Sequence, residues 1–344
     1  MATFLGIDYP TWWFLVVGAV FSGYAILDGF DLGAGALHLF FKKDESRRIA
    51  LNAVGPVWDG NEVWLIIGGG TLFAGFPILY ATLFSAMYIP FMLFLLAIIF
   101  RAVSIEFRSK EPMKWWRNTW DIGYSVSSIL IAFLLGVVLG NVLQGMPIDS
   151  NFEFEGSWLM FLNPYALLVG ITTVLLMTVH GAIYLCLKTE GKLFEKVEKL
   201  LLRAIIGFVV FFILVSIYSL AYIPHLSDDF RSNIWLYAVP VIAILSIANI
   251  PRLATKRRFK MAFVFSALTF SVLLVLVAIE LYPALLLSTS DPANTLTVYN
   301  AVASDKSLGI MLLFVAIGVP LVLSYTIIIY KTFWGKVKMD ETSY

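Results

Sequence analysis

Nine apolar runs, each long enough to cross a bilayer core that needs about 20 residues, leave this chain of 344 residues one class of fold. They lie at about 11–40, 48–73, 77–107, 118–145, 159–187, 201–224, 232–253, 260–287 and 306–332. Charged residues make up 14% of the chain, against about 25% in soluble domains, and mean hydropathy is +0.87. The chain reads as an all-α polytopic membrane protein of about nine transmembrane helices. The first run is long and lacks a small-residue cleavage site, so it reads as a retained span and not a cleaved leader. Pro77, Pro164, Pro224 and Pro251 are expected to mark span ends. Trp12, Trp13, Trp115, Trp116, Trp158, Trp235 and Trp334 lie near such ends, where aromatic belts form.

Loop charge sets an orientation. All but three of the 24 lysines and arginines follow spans one, three, five, seven and nine; the exceptions are Arg231 and Lys306 on the other side and Arg101 within span three. That asymmetry puts the N-terminus outside and the C-terminus in the cytoplasm. Residues 1–344 read as a single transmembrane domain: two four-helix bundles, at 1–146 and 158–287, plus one peripheral helix at 306–338. The spacing from Gly18 to Asp28–Gly29 recurs from Gly170 to His180–Gly181, which hints at that division. The polar loop 288–305 is expected to fold over the outer mouth, and the segment 145–157, with Asp149, Glu153 and Glu155, also lies outside. A formal charge of +1 gives no sign of nucleic-acid binding, and the lone Cys186 forms neither an intrachain disulfide nor a cysteine metal cluster.

Two acidic pairs, Asp28/Asp31 and Asp59/Glu62, fall inside the first two runs. A charge at mid-bilayer costs roughly 3 kcal/mol on insertion scales, so such residues are functional by default. Each pair is spaced by three and shares a helix face. Counted from the cytoplasmic ends, an antiparallel hairpin would set Asp31 and Asp59 roughly 15 Å deep and Asp28 and Glu62 roughly 20 Å deep, at 1.5 Å per residue. The expected arrangement is a ladder of four facing carboxyls, with His38 one heptad past Asp31 on the cytoplasmic side. Burial disfavours the charged form of a carboxyl, so water-bridged acids pass protons without a permanent buried charge. Two other readings stand open: pairing with Arg101 or helix-end capping without transport, and binding of an ion such as sodium. Gly29 and Gly33 in span one, with Gly60, Gly68, Gly69 and Gly70 in span two, read as close-packing positions.

The remaining polar residues carry weaker signals. Arg101 and Glu106 suit snorkelling or pairing near the inner end of span three. Asp121 reads as an acid at a helix N-terminus, Asn141 and Gln144 end span four, and Glu280 lies near the outer end of span eight. The three histidines, His38, His180 and His225, show no arrangement that grips a heme from both sides. This chain is therefore expected to hold no metal or cofactor and no catalytic residue of its own.

Two segments resemble signatures of subunit II of the cytochrome bd quinol oxidases: YAILDGFDLGAG at 24–35 and WDGNEVWL at 58–65. Further matches follow in order: LFAGFP at 72–77, Phe100–Arg101 with Glu106 and Arg108, WRNTWD at 116–121, Gly140–Asn141 with LQG at 143–145, Tyr282–Pro283 and LTVYNA at 296–301. The resemblance implies a complex in the cytoplasmic membrane of a prokaryote. Its partner, subunit I, holds two hemes b and one heme d, and a very small single-helix subunit often joins. The complex oxidises quinol on the outer side and reduces oxygen to water with cytoplasmic protons, building a proton-motive force without pumping. Membrane lipid and quinone are the other partners implied. The family implicates the acids matching Asp28, Asp31 and Asp59 in structure or proton supply, while Glu62 is less firmly tied because some relatives carry an amide there. On this reading the chain is a scaffold and a proton conduit through Asp28, Asp31, Asp59 and Glu62, with His38 and Arg101 accessory. The alternatives are a proton-coupled transporter, which calls for a pair of broken spans that the sequence does not make evident, and a purely structural membrane subunit.

Overall fold

The structure, a computed structural model, describes residues 3–227, 230 and 233–339; Arg231 of the charge pattern lies outside them. Lipid offers no partner to backbone N–H and C=O groups, so spans satisfy them internally as helices. The described helices are α1 (Tyr9–His38), α2 (Asp44–Val54), α3 (Trp58–Gly75), α4 (Pro77–Ala86), α5 (Tyr88–Phe107), α6 (Lys114–Gln144), α7 (Pro164–Lys188), α8 (Gly191–Tyr222), α9 (Ala238–Thr255), α10 (Phe259–Leu281) and α11 (Asp305–Thr332). Eight of the described helical stretches are long and apolar enough to cross a membrane, and the bent pair α3–α4 makes a ninth. Side chains close several N-termini. Asp8 accepts from the Thr11 N–H (2.9 Å) ahead of α1, and Asn163 accepts from Ala166 (2.8 Å) ahead of α7, with Pro164 preset at the first helical position.

The second span differs from expectation. Residues 44–54 form the separate helix α2, which buries Ala50, Leu51, Ala53 and Val54, and the span itself starts only at Trp58. It then stops at Gly75 and turns by 119° into α4. Pro77 accounts for the stop, because it lacks an N–H and disfavours helical geometry in the residue before it; Phe76 sits at φ −128°, ψ 67°. The third span is likewise broken at Met87, between α4 and α5. Two landmarks are corrected. Pro251 lies within α9, short of its end. Trp13 is a core residue that donates to the Thr71 carbonyl (2.9 Å) and is no belt residue, whereas Trp115, Trp158, Trp235 and Trp334 are exposed as a belt requires.

Helices α1 and α7 run through the centre. Helices α3 and α6 pack on α1, with α5 against α6; α8 and α10 pack on α7, with α9 against α10. The two central helices touch backbone to backbone. A Cβ at Gly33 would overlap the Met177 carbonyl, and one at Gly181 would overlap the backbone of Gly33 and Ala34. Without a hydrophobic drive between helices in lipid, such close approach supplies the packing energy. Phe30 stacks on Tyr184 beside this crossing (centroids 4.0 Å), and the Tyr184 hydroxyl donates to the Ala53 carbonyl of α2 (3.0 Å). Helix α11 leans on α1 with most of its surface uncovered.

At the Trp13 end, β1 (Ala284–Leu286) pairs antiparallel with β2 (Leu296–Thr297). Leu286, Leu296, Val298 and Ala301 are buried and pack with Trp13, Phe76 and Phe161. The loop expected to cover a mouth therefore forms an ordered cap over this end. The segment 145–157 joins it through Met146 N–H to the Leu287 carbonyl (2.9 Å). Within that segment the Glu153 N–H donates to Asp149 (2.8 Å) and holds its carboxyl below the usual range.

Gly33→Ala is expected to destabilise the protein by about 1–3 kcal/mol through overpacking, read as a lowered thermal unfolding midpoint. Gly318→Ala, where a Cβ meets nothing among the described residues within 4 Å, should leave the midpoint unchanged.

Candidate functional site

The buried polar residues gather in two networks along α1. In the first, Arg101 reaches across from α5. Its NH1 and NH2 donate to Asp28 Oδ2 (2.9 Å) and Oδ1 (2.5 Å), and NH1 also lies 3.5 Å from Glu62 Oε2. Asp28 and Arg101 are both fully buried. The fork geometry satisfies both carboxylate oxygens at once. Asp31, one turn on, accepts from Asn61 Nδ2 at Oδ2 (2.7 Å), while its Oδ1 has no hydrogen-bond partner among the described residues. Asn61 in turn accepts from the Tyr330 hydroxyl of α11 (3.0 Å).

The expected ladder of four facing acids does not form. Because α3 begins at Trp58, Asp59 lies in its first turn and is exposed. Residues two apart on a helix point roughly 200° apart, so when Asn61 faces Asp31, Asp59 must face away. Glu62, one position on from Asn61, stands at the flank with its side chain 13% exposed. The amide therefore occupies the place opposite Asp31 that the spacing assigned to an acid. Neither Asn61 nor Tyr330 is legible as a site residue from sequence, since a lone amide or phenol in an apolar run reads as ordinary packing. The helix start at Trp58 is the signal that would have pointed to Asn61.

The second network lies at the His38 end. Asp121 accepts from Arg108 Nε (2.6 Å) and from Arg47 NH1 (2.9 Å), and its Oδ1 sits 2.5 Å from His38 Nε2. Arg108 NH2 also donates to Asp44 Oδ1 (2.8 Å), and Arg117 NH1 to Asp44 Oδ2 (3.0 Å). Asp44 is about half exposed, at 49%, whereas His38 and Asp121 are buried. Asp121 is thus two turns inside α6 as an ion-pair centre, and not an acid in the first turn as its sequence position suggested. Tyr124 joins the two networks: its ring packs edge-on against His38 (centroids 5.1 Å) and its hydroxyl donates to the Asp31 carbonyl (3.3 Å).

His180 packs parallel to Phe263, with Nδ1 on Ser266 Oγ (2.6 Å) and Nε2 donating to the Ile26 carbonyl (3.0 Å). His225 Nε2 donates to the Leu143 carbonyl (2.9 Å). Asn141, buried, donates to the Phe161 carbonyl (2.9 Å) and ties α6 to the segment before α7.

A family model described as cytochrome bd terminal oxidase subunit II matches residues 9–333. The chain belongs to that family. It is 31% identical over 370 residues to the cytochrome bd-I ubiquinol oxidase subunit 2 of Escherichia coli K12, covering 97% of each chain. It is 33% identical over 332 residues to the cytochrome bd ubiquinol oxidase subunit 2 of Bacillus subtilis 168, covering 96% of this chain and 97% of that one. The solved bd oxidase from Geobacillus thermodenitrificans shares the fold with a TM-score of 0.76 at 20% identity, over 94% of this chain and 98% of that one. As a cytochrome bd subunit II, the chain is one part of a membrane-bound quinol oxidase, multi-pass in the cytoplasmic membrane, and the transporter reading is not favoured. The bend at α3–α4 is therefore a break within an oxidase subunit.

Membership in a cytochrome family implies hemes. Of the three histidines, His180 has both nitrogens engaged and offers no open coordination position, while His38 Nε2 is held by Asp121 and His225 Nε2 by the Leu143 carbonyl. Among the described residues no cluster of histidine, cysteine or carboxylate suits a metal ion.

Removing one partner of a buried ion pair costs about 3–5 kcal/mol, because the other charge is left uncompensated. Asp28→Asn and Arg101→Gln are each expected to destabilise the complex by that order, and the double variant by less than their sum. Thermal unfolding of the four purified forms measures the coupling.

Proposed function

We propose that this chain is the scaffold and the proton-delivering subunit of its oxidase, carrying protons from the His38 end to Asp31 and on toward subunit I. The observation that carries this reading is Asp31 Oδ1, a fully buried carboxylate oxygen without a partner among the described residues, near the end of a line of polar groups that starts at half-exposed Asp44. A buried polar group of this kind calls for bridging water. The line runs from Asp44 through Arg108 and Asp121 to His38 by hydrogen bonds, then past the edge-packed ring of Tyr124, whose hydroxyl donates to the backbone carbonyl of Asp31. His38 Nδ1 also lacks a partner among the described residues, which gives a water file a second point of attachment.

In this reading Asp28 serves as the fixed counter-charge of Arg101, and Asp31 is the acid that gains and loses the proton. Glu62 and Asp59 form the exit. They stand on the open side of α3, next to exposed Ile66 and Phe73, a face suited to subunit I. The basic loops support a cytoplasmic His38 end, with the N-terminus outside. Residues 1–146 and 158–287 act as two four-helix halves around α1 and α7, with the segment 306–338 as an outlying ninth helix. The two hemes b and the heme d belong to subunit I, where quinol is oxidised and oxygen reduced to water. The relatives named as ubiquinol oxidases support a quinol as the reductant. A small single-helix subunit, membrane lipid and quinone complete the assembly.

Asp31→Asn keeps the shape and the Asn61 contact but removes the titrating proton. The assembled complex should keep the heme absorption spectrum of the wild type while oxygen consumption falls by roughly tenfold or more, since positioned acid–base groups contribute about 10²–10⁴-fold. Full turnover in that variant would refute the conduit.

A further inference from the structure

A cavity of about 570 Å³ lies at the His38 end, away from both polar networks, among the end of α7, the start of α8 and the turn from α9 to α10. That volume falls within the range of about 300–1,000 Å³ seen for small-molecule sites. Phe194, Phe259 and Met261 form its apolar wall, and Arg258, Lys260 and Lys336 stand at its rim. The tail after α11 closes one side. Val337 N–H donates to the Lys188 carbonyl (3.0 Å), Lys188 Nζ to the Phe333 carbonyl (2.6 Å), and Lys336 Nζ to the carbonyls of Cys186 (3.2 Å) and Thr189 (2.8 Å).

Among the described residues, the charge around this cavity is not balanced by nearby carboxylates. Glu198 is held by Arg257 through two hydrogen bonds of 2.8 Å. Among the described residues, Arg258, Lys260 and Lys336 have no carboxylate within ion-pair distance; Lys260 lies over the Trp334 ring (5.2 Å). The level is that of a membrane boundary. Helix α7 ends at Lys188, α10 begins at Phe259, α11 ends at Thr332, and Trp334 is exposed. From the cavity an apolar track leads away along α10: Met261, Val264 and Leu268 are exposed and spaced by three and four, so they lie on one face.

We propose that this cavity seats one anionic glycerophospholipid, with its phosphodiester at Arg258 and Lys260 and an acyl chain along Met261, Val264 and Leu268. Basic pockets between membrane helices at the cytoplasmic level recognise such headgroups. The apolar track distinguishes the occupant from a free phosphate, which has no use for it. This deepens the lipid part of the assembly proposed above and rests on it, while the proton route stands apart.

The test uses the purified oxidase complex, washed in detergent, exposed to mixed micelles of phosphatidylglycerol and phosphatidylcholine, and analysed for retained lipid by mass spectrometry. The variant Arg258→Ala/Lys260→Ala should retain about one phosphatidylglycerol fewer per complex than wild type. The control Arg252→Ala/Lys256→Ala removes the same charge beside the cavity and should retain the wild-type amount. Met261→Glu keeps every cation but blocks the track, and should lose the same single equivalent. Equal retention in all four forms overturns the proposal. So does saturable binding of inorganic phosphate that is lost in Arg258→Ala/Lys260→Ala while lipid retention holds. Heme absorption and oxygen consumption, recorded on the same samples, separate loss of the lipid seat from failure of the oxidase assembly.

Discussion

The Arg101 guanidinium, gripped by both oxygens of Asp28 inside an apolar bundle, is the interaction on which the polar interior depends. Neither charge is tolerable alone at that depth, because isolated buried ions are the costliest groups a protein can hold. Together they tie α5 to α1 and set a fixed charge one helical turn from Asp31. The pair also brings Glu62 to the same guanidinium from α3, so three helices share one centre.

A second constraint is the contact between α1 and α7. Gly33 and Gly181 let two backbones meet where side chains would keep helices about 8–10 Å apart. This brings Phe30 onto Tyr184 and His180 onto the Ile26 carbonyl, so the centre of the molecule is filled by rings and closed hydrogen bonds. The same closeness leaves His180 no open coordination position. This subunit thus closes off a buried histidine with hydrogen bonds. Its polar groups are instead arranged along α1, from the half-exposed Asp44 inward.

Charge in lipid is rare, so the acid pairs mark α1 and α3 as the polar elements. Their spacing does not show which faces meet. Counting depth from loop ends assumed that the second span began near residue 48, whereas residues 44–54 are used by α2. The shift turned Asp59 to the surface and Asn61 toward Asp31. Asp121 differs from expectation for a related reason: its helix starts at Lys114, about one turn earlier than the apolar pattern shows, because Trp115, Trp116 and Arg117 belong to the boundary and not to the core. The bend after Gly75 was likewise hidden, since a proline between two apolar runs marks an end without giving an angle.

The sequence alone determined the number of spans, their all-helical form, the family and the residues with polar character inside lipid. These are local matters: backbone groups in hydrocarbon must bond within their own helix, and hydropathy, glycine and proline report where. Tertiary structure decided which acid is neutralised, which is left with an open oxygen, and which faces outward. Those outcomes depend on the rotation of each helix about its axis, which is set by contacts between residues far apart in the chain, such as Arg101 with Asp28, Asn61 with Tyr330 and Gly33 with Gly181.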